Sequence, residues 1–292
     1  MQKIGIIGLG FVGNAVRQGL KNHFDVRCFD VDPSKDSNEM SLYTLVENVN
    51  ETFLCVPTPM YETGECDLSY ILKALGDINH IVKVLNKKDF IVIIKSTIPP
   101  GTTMRLNELY ENIHIAFNPE FLTEANAVDD YKNQNRIVIG AARPYSTRVK
   151  RIFEKAFPKI PIIKTNSTIA ETIKYITNIF LATKVAFANE MYQMCEALDI
   201  DYDKVIEYAR YDERLGNTHW SVPGPDGDFG YGGHCFPKDI AALQTLMKKL
   251  NVDSTIIDSV IKKNDIVRTD RDWERQVGRA ISKSSKNNTE NV

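Results

Sequence analysis

The chain has 292 residues, 43% hydrophobic and 25% charged, an ordinary globular composition with enough length for two domains. Its 36 basic and 38 acidic residues leave a formal charge of -2, so no global positive field points to nucleic acid or an anionic membrane, and any phosphate site must be local. No apolar run reaches about 18 residues. The five cysteines, irregularly spaced, form neither a disulfide framework nor a metal-ligand pattern. The N-terminus enters a strand pattern without a signal peptide, which predicts a cytoplasmic protein.

Lys3 to Ile7 reads as a short buried strand, followed by Gly8-Leu9-Gly10-Phe11-Val12-Gly13 and helical spacing to about Lys21. This is G-x-G-x-x-G between a strand and a helix. The first glycine makes the turn, the second admits a pyrophosphate, and the third allows close helix packing. The orphan N–H groups of the helix then face the phosphates. Gly8, Gly10, Phe11, Val12 and Gly13 are therefore candidate cofactor-binding residues. A second strand, Val26 to Phe29, ends at Asp30, where a carboxylate suits an adenine ribose 2′-hydroxyl and favours NAD over NADP.

Thr52 to Val56 is the next buried strand, stopped by Pro57-Thr58-Pro59 at its carboxyl end, where open α/β sheets bind ligands. A fourth strand, Ile91 to Lys95, runs into Ser96-Thr97-Ile98-Pro99-Pro100-Gly101-Thr102-Thr103. Thr97 and Thr102 suit two roles equally, helix caps and ligand contacts. A fifth, Ile113 to Phe117, ends in Asn118-Pro119-Glu120-Phe121-Leu122-Thr123-Glu124; by itself a loop carboxylate such as Glu120 is ordinary solvated surface. Arg136 to Gly140 is a sixth strand and Ile160 to Ile163 a candidate seventh. The alternation predicts an α/β domain over 1–165, a Rossmann-type doubly wound parallel sheet.

From Ser167 to about Leu198 neither Pro nor Gly occurs and apolar residues recur at helical spacing, so a helix of roughly 45 Å is expected, with a role in a homodimer. Lys174 and Asn178, four apart, share one of its faces. A short helix is expected over 202–209, and a final amphipathic helix from Val252 to about Ile281. An all-helical central and dimerisation domain thus covers 166–281, and 282–292 has the composition of a disordered tail. Within the helical half, Phe229-Gly230-Tyr231-Gly232-Gly233-His234-Cys235-Phe236-Pro237-Lys238-Asp239 places a cysteine after three glycines and just before a helix N-terminus. Helix N-termini and nearby cations such as Lys238 favour thiolate. Cysteine is also among the most buried residue types, so Cys235 alone supports either a reactive or a core thiol. Cys28, Cys55 and Cys195 read as core residues, Cys66 as a loop residue.

The Cys235 stretch resembles the active-site segment of the UDP-glucose and GDP-mannose dehydrogenase family, close to G-G-x-C-x-P-K-D. Cys55-Val56-Pro57-Thr58-Pro59, the Ser96 to Thr102 turn, Asn118-Pro119-Glu120-Phe121-Leu122 and Glu171-x-x-Lys174-x-x-x-Asn178 are similar to further segments of that family. The resemblance implies NAD-dependent oxidation of a nucleotide-sugar primary alcohol to a carboxylate, with Cys235 as covalent nucleophile. It implies that Lys174 and Asn178 hold the developing oxyanion, that Glu120 or Asp239 positions or deprotonates the hydrolytic water, and that Thr97 lies near cofactor and sugar. Glu120, Phe121, Leu122, Gly232 and Gly233 become substrate-binding candidates, Arg214 a residue reaching a neighbouring subunit's substrate, and Lys35, Thr58 and Glu124 cofactor contacts. No metal is implied. Three departures stand out. The connection from Asp30 to Thr52 is shorter than in the family, the loop over 217–228 is longer than in some members, and the family's third α/β domain is not expected here. A two-electron hydroxyacid dehydrogenase and a catalytically impaired cofactor-binding protein are the competing readings.

Overall fold

A computed structural model describes residues 1–39 and 41–283. Of the expected tail over 282–292, Ser282 is instead held in place, its N–H donating to the Met60 carbonyl and its hydroxyl to Asp67, and 284–292 lie outside the described residues. The chain divides into two compact units, one of Met1–Thr58 and Leu68–Lys174, the other of Pro59–Asp67 and the described residues from Tyr175 onward.

In the first unit, seven strands form one sheet: β1 (Lys3–Ile7), β2 (Asp25–Phe29), β3 (Glu51–Leu54), β4 (Phe90–Ile94), β5 (Ile113–Phe117), β6 (Ile137–Gly140) and β7 (Ile162–Thr165), in the order β2-β1-β3-β4-β5-β6-β7. The first five are parallel. Both faces are buried, which is why these strands read as continuous apolar runs. Ile91 and Ile93 of β4 pack on one side, with Ala15, Val16 and Leu20 of α1 (Phe11–Leu20) and Val149, Ile152 and Phe153 of α6 (Tyr145–Ala156). Phe90, Val92 and Ile94 pack on the other, with α2 (Leu42–Asn48), α3 (Ser69–Val84) and α4 (Thr102–Leu109). The period of two along β4 is thus resolved into two cores. Phe153 meets Phe53 edge-on at 5.9 Å, and truncating such a ring to alanine typically costs about 3–5 kcal/mol.

The order reverses at β1, whose neighbours β2 and β3 leave it on opposite sides, so the crevice beyond the carboxyl end of β1 is a topological switch point. β2 is the sheet edge and returns to β3 through α2 alone, the structural counterpart of the short Asp30 to Thr52 connection.

The expected doubly wound parallel sheet has one exception. β6 runs antiparallel to β5, with Phe117 opposite Gly140 as the registered pair, and β7 follows β6 in parallel. The connection carrying α5 (Ala127–Lys132) brings the chain back to the edge where β5 ended, so β6 starts there. Asn118 completes the join, donating from Nδ2 to the Val138 carbonyl at 2.6 Å.

α7 (Ser167–Ala197) is a 31-residue helix, and the boundary between the units falls within it, after Lys174. The second unit adds α8 (Tyr202–Ala209), α9 (Phe236–Lys249) and α10 (Thr255–Val267). α10 corrects the expected helix from Val252 to Ile281, because it stops at Val267. Asp228 there accepts the backbone N–H groups of Thr269 and Asp270 at 3.1 and 2.8 Å, competing with the helical acceptors, and the Arg268 side chain turns into Asp226, Asp228 and Asp272. The chain then passes through a 3-10 turn (Asp272–Arg275) and pairs with Met60, whose N–H donates to Ala280 at 2.7 Å and whose carbonyl accepts from Ser282 at 2.8 Å.

Candidate functional site

The first unit builds a dinucleotide cradle at the end of β1. Gly8 has φ +87°, and a Cβ there would lie 2.5 Å from the Cys55 carbonyl oxygen, so no other residue fits. A Cβ on Gly13 would overlap the Gly8 carbonyl, which is what lets α1 pack so close to the turn. Gly10 differs: it is the N-cap of α1, lacks a side-chain cap, and the space where its Cβ would stand is open to 4 Å. Open space and unsatisfied helical N–H groups at the same point fit a pyrophosphate. Asp30 ends β2 beside this turn, its Oδ2 accepting the Leu9 N–H at 2.5 Å and its Oδ1 that of Asp32 at 2.8 Å. Phe11 and Val12 are half-buried in the first turn of α1, Thr58 is buried after β3, and Lys35 and Glu124 are exposed.

At the ends of β4 and β5 the same unit buries a set of charges. Lys95, 2% exposed, donates from Nζ to Asn118 Oδ1 at 2.8 Å and to the Pro119 carbonyl at 3.3 Å. Burial pulls its ammonium down to about 8, against the pull of Cys55 and Glu120. Glu120 Oε1 stands 3.0 Å from Lys174 Nζ, and its Oε2 accepts the Leu122 N–H at 2.7 Å. Burial works to raise the Glu120 carboxyl, yet Lys174, that N–H and Lys95 together hold it below the ordinary value, so it is a carboxylate. The Phe121 ring lies under the Arg136 guanidinium at 4.1 Å and the Lys174 ammonium at 5.6 Å.

Glu171 is fully buried and takes the N–H groups of Gly101 and Thr103 at 2.6 and 2.8 Å, capping α4 from another helix. This decides against the capping role for Thr102, whose buried hydroxyl has no partner among the described residues. Burial raises the Glu171 carboxyl, opposed by those N–H groups. Thr97 is buried in the turn before α4.

The second unit carries the thiol. Cys235 is the N-cap of α9, half-buried, with Pro237 in the first turn, and its carbonyl accepts the Asp239 N–H at 3.0 Å. Asp239, 1% exposed, accepts Asn178 Nδ2 at 2.6 Å on Oδ2 and Lys238 Nζ at 2.5 Å on Oδ1. Burial works against the Lys238 charge, but Asp239, Cys235 and Cys66 outweigh it and raise the ammonium above its usual range. The local field at Cys235 therefore includes a helix N-terminus, an influence that favours thiolate, and the Lys238–Asp239 ion pair. Cys66 lies against the same Lys238–Asp239 pair, its thiol pushed up to about 12 by burial. Arg214 is exposed and forked onto Asp212, with Nε 2.9 Å from Oδ1 and Nη2 2.5 Å from Oδ2.

Sequence reasoning missed the polar residues that hold the thiol loop from behind: Asn264, Arg268 and Asp272. Asn264, 3% exposed, brackets Tyr231, accepting its N–H at 2.7 Å and donating to its carbonyl at 3.0 Å. An asparagine between the apolar positions of α10 was the available signal. Lys95 reads as the end of a strand, although a lysine closing a run of five apolar residues must bury its stem. Among the described residues no group of three or more His, Cys, Asp or Glu side chains is arranged to hold a metal, and no helix is long and apolar enough to cross a membrane.

Comparison with known proteins follows the same division. Residues 36–157 match the NAD binding domain, and residues 168–266 the central domain, of the UDP-glucose/GDP-mannose dehydrogenase family. A UDP-glucose 6-dehydrogenase from Rickettsia typhi is 33% identical over 90% of this chain and 67% of its own length. Other Rickettsia enzymes of that name are matched over half their length, so the chain spans about half to two thirds of such relatives. Among solved structures, a UDP-glucose dehydrogenase from Pyrobaculum islandicum superposes with a TM-score of 0.83 at 28% identity, over 91% of this chain and 68% of that one. A 3-hydroxyisobutyrate dehydrogenase from Mycobacterium tuberculosis, at 16% identity and a TM-score of 0.72 over 91% of this chain and 94% of its own, shares the fold alone.

Proposed function

The chain belongs to the UDP-glucose/GDP-mannose dehydrogenase family, and from that premise we propose that it oxidises the primary alcohol of a nucleotide sugar to a carboxylate through a covalent adduct on Cys235. The observation that carries the proposal is the placement of Cys235 at the N-terminus of α9, beside a Lys238 ammonium held by Asp239. A two-electron alcohol oxidation has no use for such a thiol.

The cradle of Gly8, Gly10, Gly13 and Asp30 would hold NAD+, and a separate NAD+ would supply the hydride acceptor for each of the two oxidations. In the first, the alcohol loses hydride from carbon and a proton from oxygen, giving an aldehyde; Lys174 and Asn178 are assigned to hold the developing oxyanion. Cys235 then adds through sulfur to the aldehyde carbon, and the oxygen gains a proton, giving a thiohemiacetal. Loss of a second hydride and of that proton leaves a thioester. Water attacks its carbonyl, the C–S bond breaks, and the acid leaves as the thiol reforms. Glu120, held as a carboxylate, is assigned to position or deprotonate that water, with Asp239 as the alternative.

The second unit also offers a face for a second copy of the chain. Ile176, Phe180, Phe187 and Met194 of α7, spaced four, seven and seven apart, are 62, 65, 49 and 46% exposed, while Tyr175, Ile179, Ala182 and Ala186 of the same helix are buried against α9 and α10. A homodimer covering the exposed stripe is the proposed assembly.

The test is stoichiometric. Purified chain, NAD and a panel of UDP- and GDP-sugars should release two NADH per acid formed, and Cys235→Ser should stop short of the acid while binding NAD as before. One NADH per product would instead favour the hydroxyacid reaction, and full acid formation by Cys235→Ser would remove the covalent step.

A further inference from the structure

The backbone immediately before Cys235 has an unusual anchor. Gly233 has φ +71°, and its N–H points at Asp272, lying 3.1 and 3.0 Å from the two carboxylate oxygens. A Cβ on the neighbouring Gly232 would overlap both the Arg268 guanidinium and the Asp272 carboxylate, so the loop is laid against this pair at backbone distance. The pair is itself held. Arg268, its side chain 3% exposed, reaches Asp272 Oδ1 at 3.1 Å, Asp226 Oδ2 at 2.7 Å and Asp228 Oδ2 at 3.4 Å. Gln276 adds a bond to Asp272 Oδ2 at 3.2 Å.

A lone buried arginine among carboxylates is ordinary structural chemistry. What separates this one is where the charge is delivered. Of the groups the Asp272 carboxylate meets, one is the peptide two residues before the thiol, and that peptide is in the left-handed region, where it is easily flipped once its N–H loses an acceptor. Releasing the Gly232–Gly233 peptide would change how the chain enters α9 at Cys235, two residues on. We propose that Asp272, braced by Arg268, is a positioning residue for the reaction: it locks the Gly233 peptide and so holds Cys235 at the N-terminus of α9 beside Lys238. This rests on the reading of Cys235 as the nucleophile, and it assigns a functional role to the segment following α10.

The test uses the full chain and iodoacetamide, with the alkylation rate at each cysteine followed by mass spectrometry. Cys28 and Cys195 are fully buried and label only on unfolding, so they report fold integrity in the same tube. In Asp272→Ala the Cys235 rate should fall by about tenfold or more while Cys28 and Cys195 stay protected, because the sulfur leaves the field of the helix and Lys238. Asp272→Asn, which retains an acceptor oxygen, should recover part of that loss. With a nucleotide sugar, kcat should fall in Asp272→Ala with KM little changed, and NAD titration should be unaffected. An unchanged or faster Cys235 rate in folded Asp272→Ala overturns the proposal. If that variant labels at Cys28 and Cys195, Arg268→Lys and Asp272→Asn decide by the same rates. Absence of sugar oxidation in the wild-type chain would defeat the proposed function, whereas the labelling rates speak to the positioning alone.

Discussion

Asn178 donates from Nδ2 to Oδ2 of Asp239 at 2.6 Å, and the other oxygen of that carboxylate is taken by Lys238. A buried carboxylate thus fixes an amide and neutralises a buried ammonium. Asp239→Ala strands the Lys238 charge, and breaking a buried pair from one side costs about 3–5 kcal/mol. Urea denaturation should show a loss of that order in Asp239→Ala and a smaller one in Lys238→Met/Asp239→Leu, which removes both charges. Equal losses in the two variants would mean that the ion pair is not what the carboxylate contributes.

Lys95 should leave a signature in the pH dependence of stability. Its folded value of about 8 lies below its ordinary 10.5, with Cys55, Glu120 and Lys174 as the facing groups. Between those values the unfolded chain holds a proton that the folded chain has released, so stability rises with pH relative to a chain without the amine. The unfolding free energy of wild type minus that of Lys95→Met should therefore increase by about 2 kcal/mol from pH 7 to pH 10. A difference that stays flat would place the ammonium in water.

Asp30 should discriminate between cofactors. A 2′-phosphate would meet a carboxylate whose two oxygens are fixed by the N–H groups of Leu9 and Asp32 and which therefore cannot swing away. NADP should bind at least about tenfold more weakly than NAD, near 1.4 kcal/mol, in a fluorescence titration. Asp30→Ser should narrow the gap, and equal affinities in the wild type would remove the role.

Phe180, 65% exposed, sits near the middle of the apolar stripe on α7. If a second copy covers it, Phe180→Glu buries an unpaired charge at the centre of an interface and costs about 2 kcal/mol or more of association. Sedimentation should show a dimer for wild type and a monomer for the variant at micromolar concentration. A monomeric wild type ends the proposal.

Much of the first unit was legible because its signals are local. A strand, three glycines with distinct steric duties and an acid at the end of the next strand declare themselves within Lys3 to Asp30. Asp239 and Cys235 were legible for the same reason, since a helix start shows in the few residues around it. Glu171 was visible as part of a spacing, but not as the cap of α4, because its partners Gly101 and Thr103 lie about 70 residues away and nothing in either segment announces the other. The end of α10 was misread for a related reason. The amphipathic pattern continues past Val267, and what stops the helix is Asp228, brought in from the Pro- and Gly-rich loop. The reversal of β6 likewise depends on which edge the chain returns to, which periodicity does not encode.

That reversal bears on how the first unit comes apart. Five strands share continuous parallel ladders, but β6 and β7 are joined to them by the Phe117–Gly140 pair and by the Asn118 side chain standing in for a ladder bond. The sheet is two ribbons with a stitched seam, and the stitch is a side chain that also accepts from the buried amine of Lys95. Loosening either residue should let the β6–β7 ribbon open as a unit of its own, its amides exchanging with solvent while those of β1, β3 and β4 stay closed. The turn that carries Glu120 begins at that stitch, so the acid's own stiffness is borrowed from a seam in the sheet.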